Sequence, residues 1–341
     1  AFFISPIADN LTTALLMATV VMAVGGDNTR FVMVACINIV VAANAGGAFS
    51  PFGDITTLMV WQKGIVPFET FFLLFLPSVV NWLVPAIIMS FAVSSEKPDA
   101  IEEEAVLQHG ALFVVALFIL TITMAVSAHN FLHLPPVLGM MTGLGLLKLF
   151  GYYLKRRDKG MEAVEVDYTT TSGIDGLGEH QIDLETTAGS AGRKEHYNIF
   201  KSLERAEWDT LMFFYGIILC VGGLGTLGYL SMTSEFMYGD LGATNANILV
   251  GVLSAIIDNI PVMFAVLAMS PEMSQGQWLL VTLTAGVGGS LLSIGSAAGV
   301  AVMGQAKGVY TFFGHLRWTW AIALGYAASI GVHFLVNESM F

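Results

Sequence analysis

The sequence predicts an all-α polytopic membrane protein built from inverted repeats, with two re-entrant hairpins and two unwound transmembrane helices. Three observations carry this reading. Of the 341 residues, 55% are hydrophobic and only 12% charged, whereas a soluble globular domain has about 25% charged residues. Apolar stretches of the roughly 20 residues that a helix needs to cross a bilayer recur along the chain. Four further apolar stretches are broken by polar or Gly-rich segments, and the breaks occur in the same order twice. Irregular backbone at membrane depth is tolerated only where it is buried in protein or lines a cavity. An ionisable group there is costly enough to count as a functional candidate by default.

In chain order, residues 1–24 break at Asp9-Asn10, within Ser5-Pro6-Ile7-Ala8-Asp9-Asn10. Residues 29–62 break at Asn44-Ala45-Gly46-Gly47-Ala48-Phe49-Ser50-Pro51-Phe52-Gly53-Asp54, where Gly, Pro and small polar residues mark unwound backbone. Residues 66–93 read as one unbroken span, kinked by Pro77 and Pro85, in which Asn81 is expected to hydrogen-bond a neighbouring helix. Residues 110–128, 134–150 and 209–230 read as three more full spans. Residues 245–270 then break at Asp258-Asn259-Ile260-Pro261, after Ser254. Residues 278–304 break between Gly286 and Ser296, and residues 316–336 are unbroken.

The pattern of an S-x-x-x-D-N break, a Gly-Gly break and an unbroken span therefore occurs twice. Gly46-Gly47 aligns with Gly288-Gly289, Pro51 with Ser293, Gly53 with Gly295, and Asp54 with Ser296. Such repetition suggests an internal repeat wrapped around one site. By symmetry about three further spans are expected upstream of residue 1. Residues 1–93 then form the C-terminal part of repeat one, and residues 94–150 the first two helices of repeat two. Residues 151–207 read as a flexible cytoplasmic loop, and residues 208–341 as the remainder of repeat two.

Lys and Arg orient the chain. If each D-N segment returns to its own side, all of the 14 Lys and Arg residues except Lys63 share one face with the loops 94–108 and 151–207. That face is cytoplasmic by the positive-inside rule. The first hairpin then enters from the cytoplasm and the second from outside, the inverted arrangement of many secondary transporters. The net charge of −12 lies largely in the two loops and names no partner. The absence of a basic face excludes nucleic acid. Cys36 and Cys220 lie in apolar segments and imply buried small hydrophobes rather than a disulfide framework.

Interrupted helices offer free carbonyls and helix ends. With side-chain oxygens these suit a hard cation such as Na⁺ or Li⁺. Asp9 and Asp258 would supply negative charge, and Asn10, Asn259, Thr12, Ser5 and Ser254 neutral oxygens. The Gly-Gly breaks would add Asn44, Ser50 and Asp54 from one repeat, and Ser290, Ser293 and Ser296 from the other. A desolvated carboxylate favours its protonated form while a nearby cation favours the ionised one. Competition between H⁺ and Na⁺ for one oxygen is thus a sufficient mechanism for exchange. Glu207 and Asp209 are candidates for ion access or pH sensing, and Glu102-Glu103-Glu104 reads as a solvated loop. His129 and His133 have the H-x-x-x-H spacing of metal ligands on a helix, but they sit beside Pro135-Pro136 and read as interfacial histidines.

The stretches Phe2 to Leu15, Asn44 to Asp54, Ser254 to Pro261 and Ser290 to Ser296 resemble the NhaD type of Na⁺/H⁺ antiporter. This type belongs to an ion-transporter superfamily that includes arsenite permeases and divalent anion symporters. The resemblance implies hairpins and unwound helices that meet at the membrane midplane, and a homodimer. Dicarboxylate carriers of that superfamily are expected to have Ser-Asn-Thr where this chain has Asp9-Asn10-Leu11 and Asp258-Asn259-Ile260, and a carboxylate there favours a cation. The expected activity is exchange of cytoplasmic Na⁺, and Li⁺, for external H⁺. No cofactor is expected beyond the transported ions, no enzymatic activity, and no partner beyond the lipid bilayer and a second copy. An arsenite or small-anion permease is the alternative, and an intramembrane metalloenzyme resting on His129 and His133 a remote one.

Overall fold

The computed structural model describes residues 1–26, 28–93, 110–158 and 208–341. The loop 94–108, including Glu102 to Glu104, lies outside the described residues, as do residues 159–207 with Glu207. Among the described residues the chain is helical and has no strand.

The first half comprises α1 (Ser5–Ala8), α2 (Asn10–Gly25), α3 (Thr29–Gly47), α4 (Ile55–Gln62) and α5 (Phe75–Ser90). A 3₁₀ segment, Phe68–Leu74, leads into α5. The pair α6 (Ala111–Leu132) and α7 (Pro136–Asp158) forms an antiparallel hairpin. Then follow α8 (Trp208–Thr226), α9 (Tyr229–Ser234) with a π turn over Glu235–Asp240, α10 (Ala243–Ser254) and α11 (Asn259–Met269). The chain closes with α12 (Gln275–Gly288), α13 (Ala297–Gln305), α14 (Phe312–Leu316) and α15 (Thr319–Val336).

Side-chain caps explain where the short helices start. Asp9, Asp54, Asp258 and Ser296 each accept a backbone N–H from the first turn of α2, α4, α11 and α13 respectively. Each of them replaces the helical partner that the first turn lacks. After each break of the sequence the helix therefore restarts at one of these four residues.

Five helical stretches among the described residues are long and apolar enough to cross a membrane: Thr29–Gly47, Phe68–Ser90, Ala111–Leu132, Pro136–Leu154 and Thr319–Val336. Large apolar side chains are exposed along both α6 and α7, the pattern of helices solvated by lipid. The expected continuous span 209–230 is instead bent, by 83° between Leu211–Thr226 and Tyr229–Asp240. The Gly-rich end of α8, with its low helix propensity, yields there. Helix α7 runs on to Asp158, past the expected end at residue 150.

The core is built around α3 and α12, the two helices that run into the Gly-Gly pairs. Helix α2 packs along α3 and α13, α10 along α12, and α5 along α15. The two unbroken spans of the sequence pattern are thus in mutual contact. Gly46 and Gly288 allow close backbone approaches, since a Cβ would collide with the Phe2 carbonyl at the first and the Gly251 carbonyl at the second. One further expectation fails. Asn81 is wholly buried in α5, yet neither atom of its amide has a hydrogen-bond partner among the described residues.

Candidate functional site

Four helix starts meet through side chains, and Asp54 lies at their junction. It is 3% exposed. Its Oδ1 accepts from the Thr56 N–H and hydroxyl, both at 2.9 Å. Its Oδ2 accepts from Asn10 Nδ2 at 2.8 Å and from Asn259 Nδ2 at 3.1 Å. Asn10 opens α2 and Asn259 opens α11, so the Asn of each Asp-Asn pair reaches the same carboxylate oxygen.

Asn44, buried in the last turns of α3, extends the network across the core. Its Oδ1 accepts from Asn10 Nδ2 at 3.1 Å. Its Nδ2 donates to Ser290 Oγ at 2.8 Å and Ser296 Oγ at 2.9 Å. Ser296 is the cap of α13. The structure therefore joins Asn10, Asn44, Asp54, Asn259, Ser290 and Ser296 in one hydrogen-bonded cluster. Bonds to the ionised carboxylate are the strong members of such a set.

The remaining sequence candidates surround this cluster without bonding into it. Asp9 accepts from Leu11 N–H and Thr12 Oγ1, each at 2.8 Å, and Asp258 accepts from Ile260 N–H at 3.3 Å. Both carboxylates are half-buried. Asp9 has φ 62° and ψ 158°, a region that only glycine enters freely. Ser5 donates to the Ala43 carbonyl and Ser254 to the Ala285 carbonyl, tying each D-N segment to the helix that runs into a Gly-Gly pair. Ser50 donates to the Pro6 carbonyl, and Ser293 faces the Met303 sulfur. Thr12 is exposed. Asp209 falls in the first turn of α8.

Sequence reasoning missed three threonines. Thr56 supplies two of the bonds to Asp54, and a D-x-T sequence after a Gly-rich break was the available signal. Thr13 and Thr57 have buried hydroxyls with no partner among the described residues. Each lies three residues beyond a cluster member, Asn10 and Asp54, hence on the same helix face. The two histidines with metal-ligand spacing are elsewhere. His129 sets its ring edge-on against Trp61, at the end of α4, with centroids 4.6 Å apart. His133 ends α6 in the left-handed conformation. No group of three His, Cys, Asp or Glu residues among the described residues has the geometry of a metal site.

The profile of the citrate transporter family matches residues 1–286. The chain is 58% identical over 341 residues to the Na(+)/H(+) antiporter NhaD of Alkalimonas amylolytica, covering all of this chain and 68% of that relative. It is 60% identical over 327 residues to the NhaD antiporter of Vibrio parahaemolyticus, covering 96% of this chain and 77% of that relative. It is also 32% identical over 355 residues to sodium/proton antiporter 1 of Arabidopsis thaliana, covering all of this chain and 55% of that relative. With transporter names throughout and identity of this level across the whole chain, the protein belongs to the NhaD family of Na⁺/H⁺ antiporters, within the wider ion-transporter superfamily.

Proposed function

We infer that this protein is a secondary transporter of the inner membrane that exchanges cytoplasmic Na⁺, and Li⁺, for external H⁺. The observation that carries the inference is the charge balance at the junction of the four helix starts. Each helix N-terminus presents about half a unit of positive charge, so four present roughly two. Three carboxylates, Asp9, Asp54 and Asp258, cap three of them, and a neutral hydroxyl, Ser296, caps the fourth. The balance is about one negative charge, which suits one monovalent cation or one additional proton. Without the two Asp residues of the D-N pairs, the same four helix starts would favour an anion.

Exchange follows from competition. A proton and a metal cation neutralise the same charge, so each disfavours the other. Asp9 and Asp258 are half-buried, whereas Asp54 is fully buried and hydrogen-bonded on both oxygens. In this reading Asp9 and Asp258 meet the entering ions and Asp54 holds the centre. Asn10, Asn44, Asn259, Ser290 and Ser296 provide neutral oxygens and keep the helix starts together. Ser5, Ser50, Ser254 and Ser293 support the backbone, and Thr12 holds Asp9. The D-N segments act as hairpins from opposite faces, the Gly-Gly breaks as unwound transmembrane helices, and the two repeats as inverted halves. The loops 94–108 and 151–207 lie in the cytoplasm, and the protein works as a homodimer.

The test uses everted membrane vesicles containing the full-length protein, energised to acidify the lumen and then given NaCl, LiCl or KCl. Release of the proton gradient by Na⁺ and Li⁺ but not K⁺ is expected, and no cation-dependent release would sink the reading. The citrate-family profile supports a small-anion permease as the second reading. Uptake of citrate or arsenite without Na⁺-dependent proton movement would favour it.

A further inference from the structure

We propose that His315 is a positioning residue of the exchange site, acting through the backbone of Ser290. The proposal rests on the functional reading above and adds a residue that lies outside the cluster itself. His315 sits in the short helix α14, and neither it nor its neighbour Tyr310 is accessible: they are 0% and 1% exposed. Its Nε2 lies 2.9 Å from the Ser290 carbonyl oxygen, and its Nδ1 lies 2.8 Å from the Tyr310 hydroxyl. A carbonyl only accepts, so Nε2 carries the hydrogen. In the neutral ring Nδ1 is then the acceptor, and the Tyr310 hydroxyl donates to it. Tyr310 thereby fixes the tautomer that His315 needs to hold Ser290.

Ser290 is where the two ends of this chain of bonds meet. Helix α12 stops at Gly288, which leaves its last carbonyls and those of the break without helical partners. His315 takes the carbonyl of Ser290, and Thr319 donates its hydroxyl to that of Leu291 at 2.8 Å. The Ser290 hydroxyl faces the other way, accepting from Asn44 Nδ2. Asn44 in turn binds Asn10, whose amide also donates to Asp54. The ring of His315 thus fixes the peptide that aims the Ser290 hydroxyl at the cluster. The device belongs to one repeat only. Ala48 occupies the position aligned with Ser290, and the adjoining Phe49 is held by ring contact with Phe75 at 5.2 Å. Three intervening side chains, two of them amides that do not pass protons readily, make positioning rather than proton transfer the role of His315.

The experiment compares His315→Leu, His315→Gln and Tyr310→Phe in the full-length protein, in everted vesicles over a Na⁺ series. Losing a buried bond and orphaning its carbonyl is expected to raise half-saturating Na⁺ about tenfold in His315→Leu, with maximal exchange changed less than about twofold. The Gln amide can still donate to the Ser290 carbonyl, so His315→Gln is expected to restore half-saturation to within about threefold of wild type, with Tyr310→Phe intermediate. A uniform loss of maximal rate in all three variants, or unchanged half-saturation in His315→Leu, overturns the proposal. Hydrogen–deuterium exchange over residues 289–296 gives a second readout that needs no transport. Faster exchange in His315→Leu, reversed in His315→Gln, is expected, and equal exchange in all variants overturns the proposal. Should wild type show no Na⁺-dependent exchange, the functional reading fails while this second readout still decides the role of His315. If His315→Leu fails to fold, Tyr310→Phe and His315→Gln carry both measurements.

Discussion

Replacing Asp9 with Gly removes a carboxylate and relieves the backbone in a single step. Asp9 holds φ 62° and ψ 158°, a conformation that costs a non-glycine residue about 1–3 kcal/mol. Against that relief stand three losses. A Gly cap is worse than Asp by roughly 0.3 kcal/mol. The exposed bond from Thr12 contributes about 0.5–1 kcal/mol. The freer unfolded chain costs roughly 0.4–1 kcal/mol. The terms nearly cancel, so Asp9→Gly is expected to unfold within about 1–2 kcal/mol of wild type. Asp9→Ala keeps the strain and loses both the cap and the bond from Thr12, at a cost of about 1–3 kcal/mol. Purified full-length protein in detergent, followed by intrinsic tryptophan fluorescence on heating, gives the stability order. Everted vesicles give the transport. Both variants are expected to lose Na⁺-dependent exchange, although only Asp9→Ala is clearly destabilised. Wild-type exchange in Asp9→Gly would show that the carboxylate is a cap and nothing more. A Gly variant less stable than the Ala variant would refute the strain argument.

Among the described residues, Asn10 bonds both Asp54 and Asn44, whereas Asn259 bonds Asp54 alone. Asn10→Ala is therefore expected to cost about 2.5–6 kcal/mol and Asn259→Ala about 1.5–3 kcal/mol, and the opposite order of unfolding midpoints would contradict the network. If H⁺ and Na⁺ share the carboxylates, protonation gains as pH falls, so half-saturating Na⁺ must rise with acidity, by at most about tenfold per pH unit for one competing proton. Half-saturation that stays constant across a pH series in vesicles would exclude a shared site. Gly288→Ala drives a Cβ against the Gly251 carbonyl and is expected to destabilise by about 1–3 kcal/mol. Gly304→Ala, with open space around it, is expected to be neutral or stabilising by up to about 1 kcal/mol, and equal effects of the two would refute the close-approach account.

The helix boundaries were the most legible part. An Asp or Ser at the end of a Gly-rich or polar break is a strong capping signal, and helices restart at Asp9, Asp54, Asp258 and Ser296. The bend after Thr226 was hidden because apolar composition continues through it while Gly lowers the helix propensity locally. Within the site, residue types were legible but their partners were not. Nothing in a D-N pair states that Asn, rather than Asp, reaches across to Asp54, because that depends on which side of the helix start faces α4. His315 and Tyr310 gave no signal at all, since an isolated His in an ordinary apolar segment has no pattern. The failed hydrogen bond of Asn81 shows the same limit from the other side.

Asn10 and Asn259 each point a donor at one oxygen of Asp54. On the exchange reading those two amides occupy, with partial positive charge, the oxygen that a cation would take. A cation that takes the oxygen must evict them. Because one amide starts α2 and the other starts α11, eviction also unties two helices that lie far apart in the chain. Loading and unlocking then become a single event.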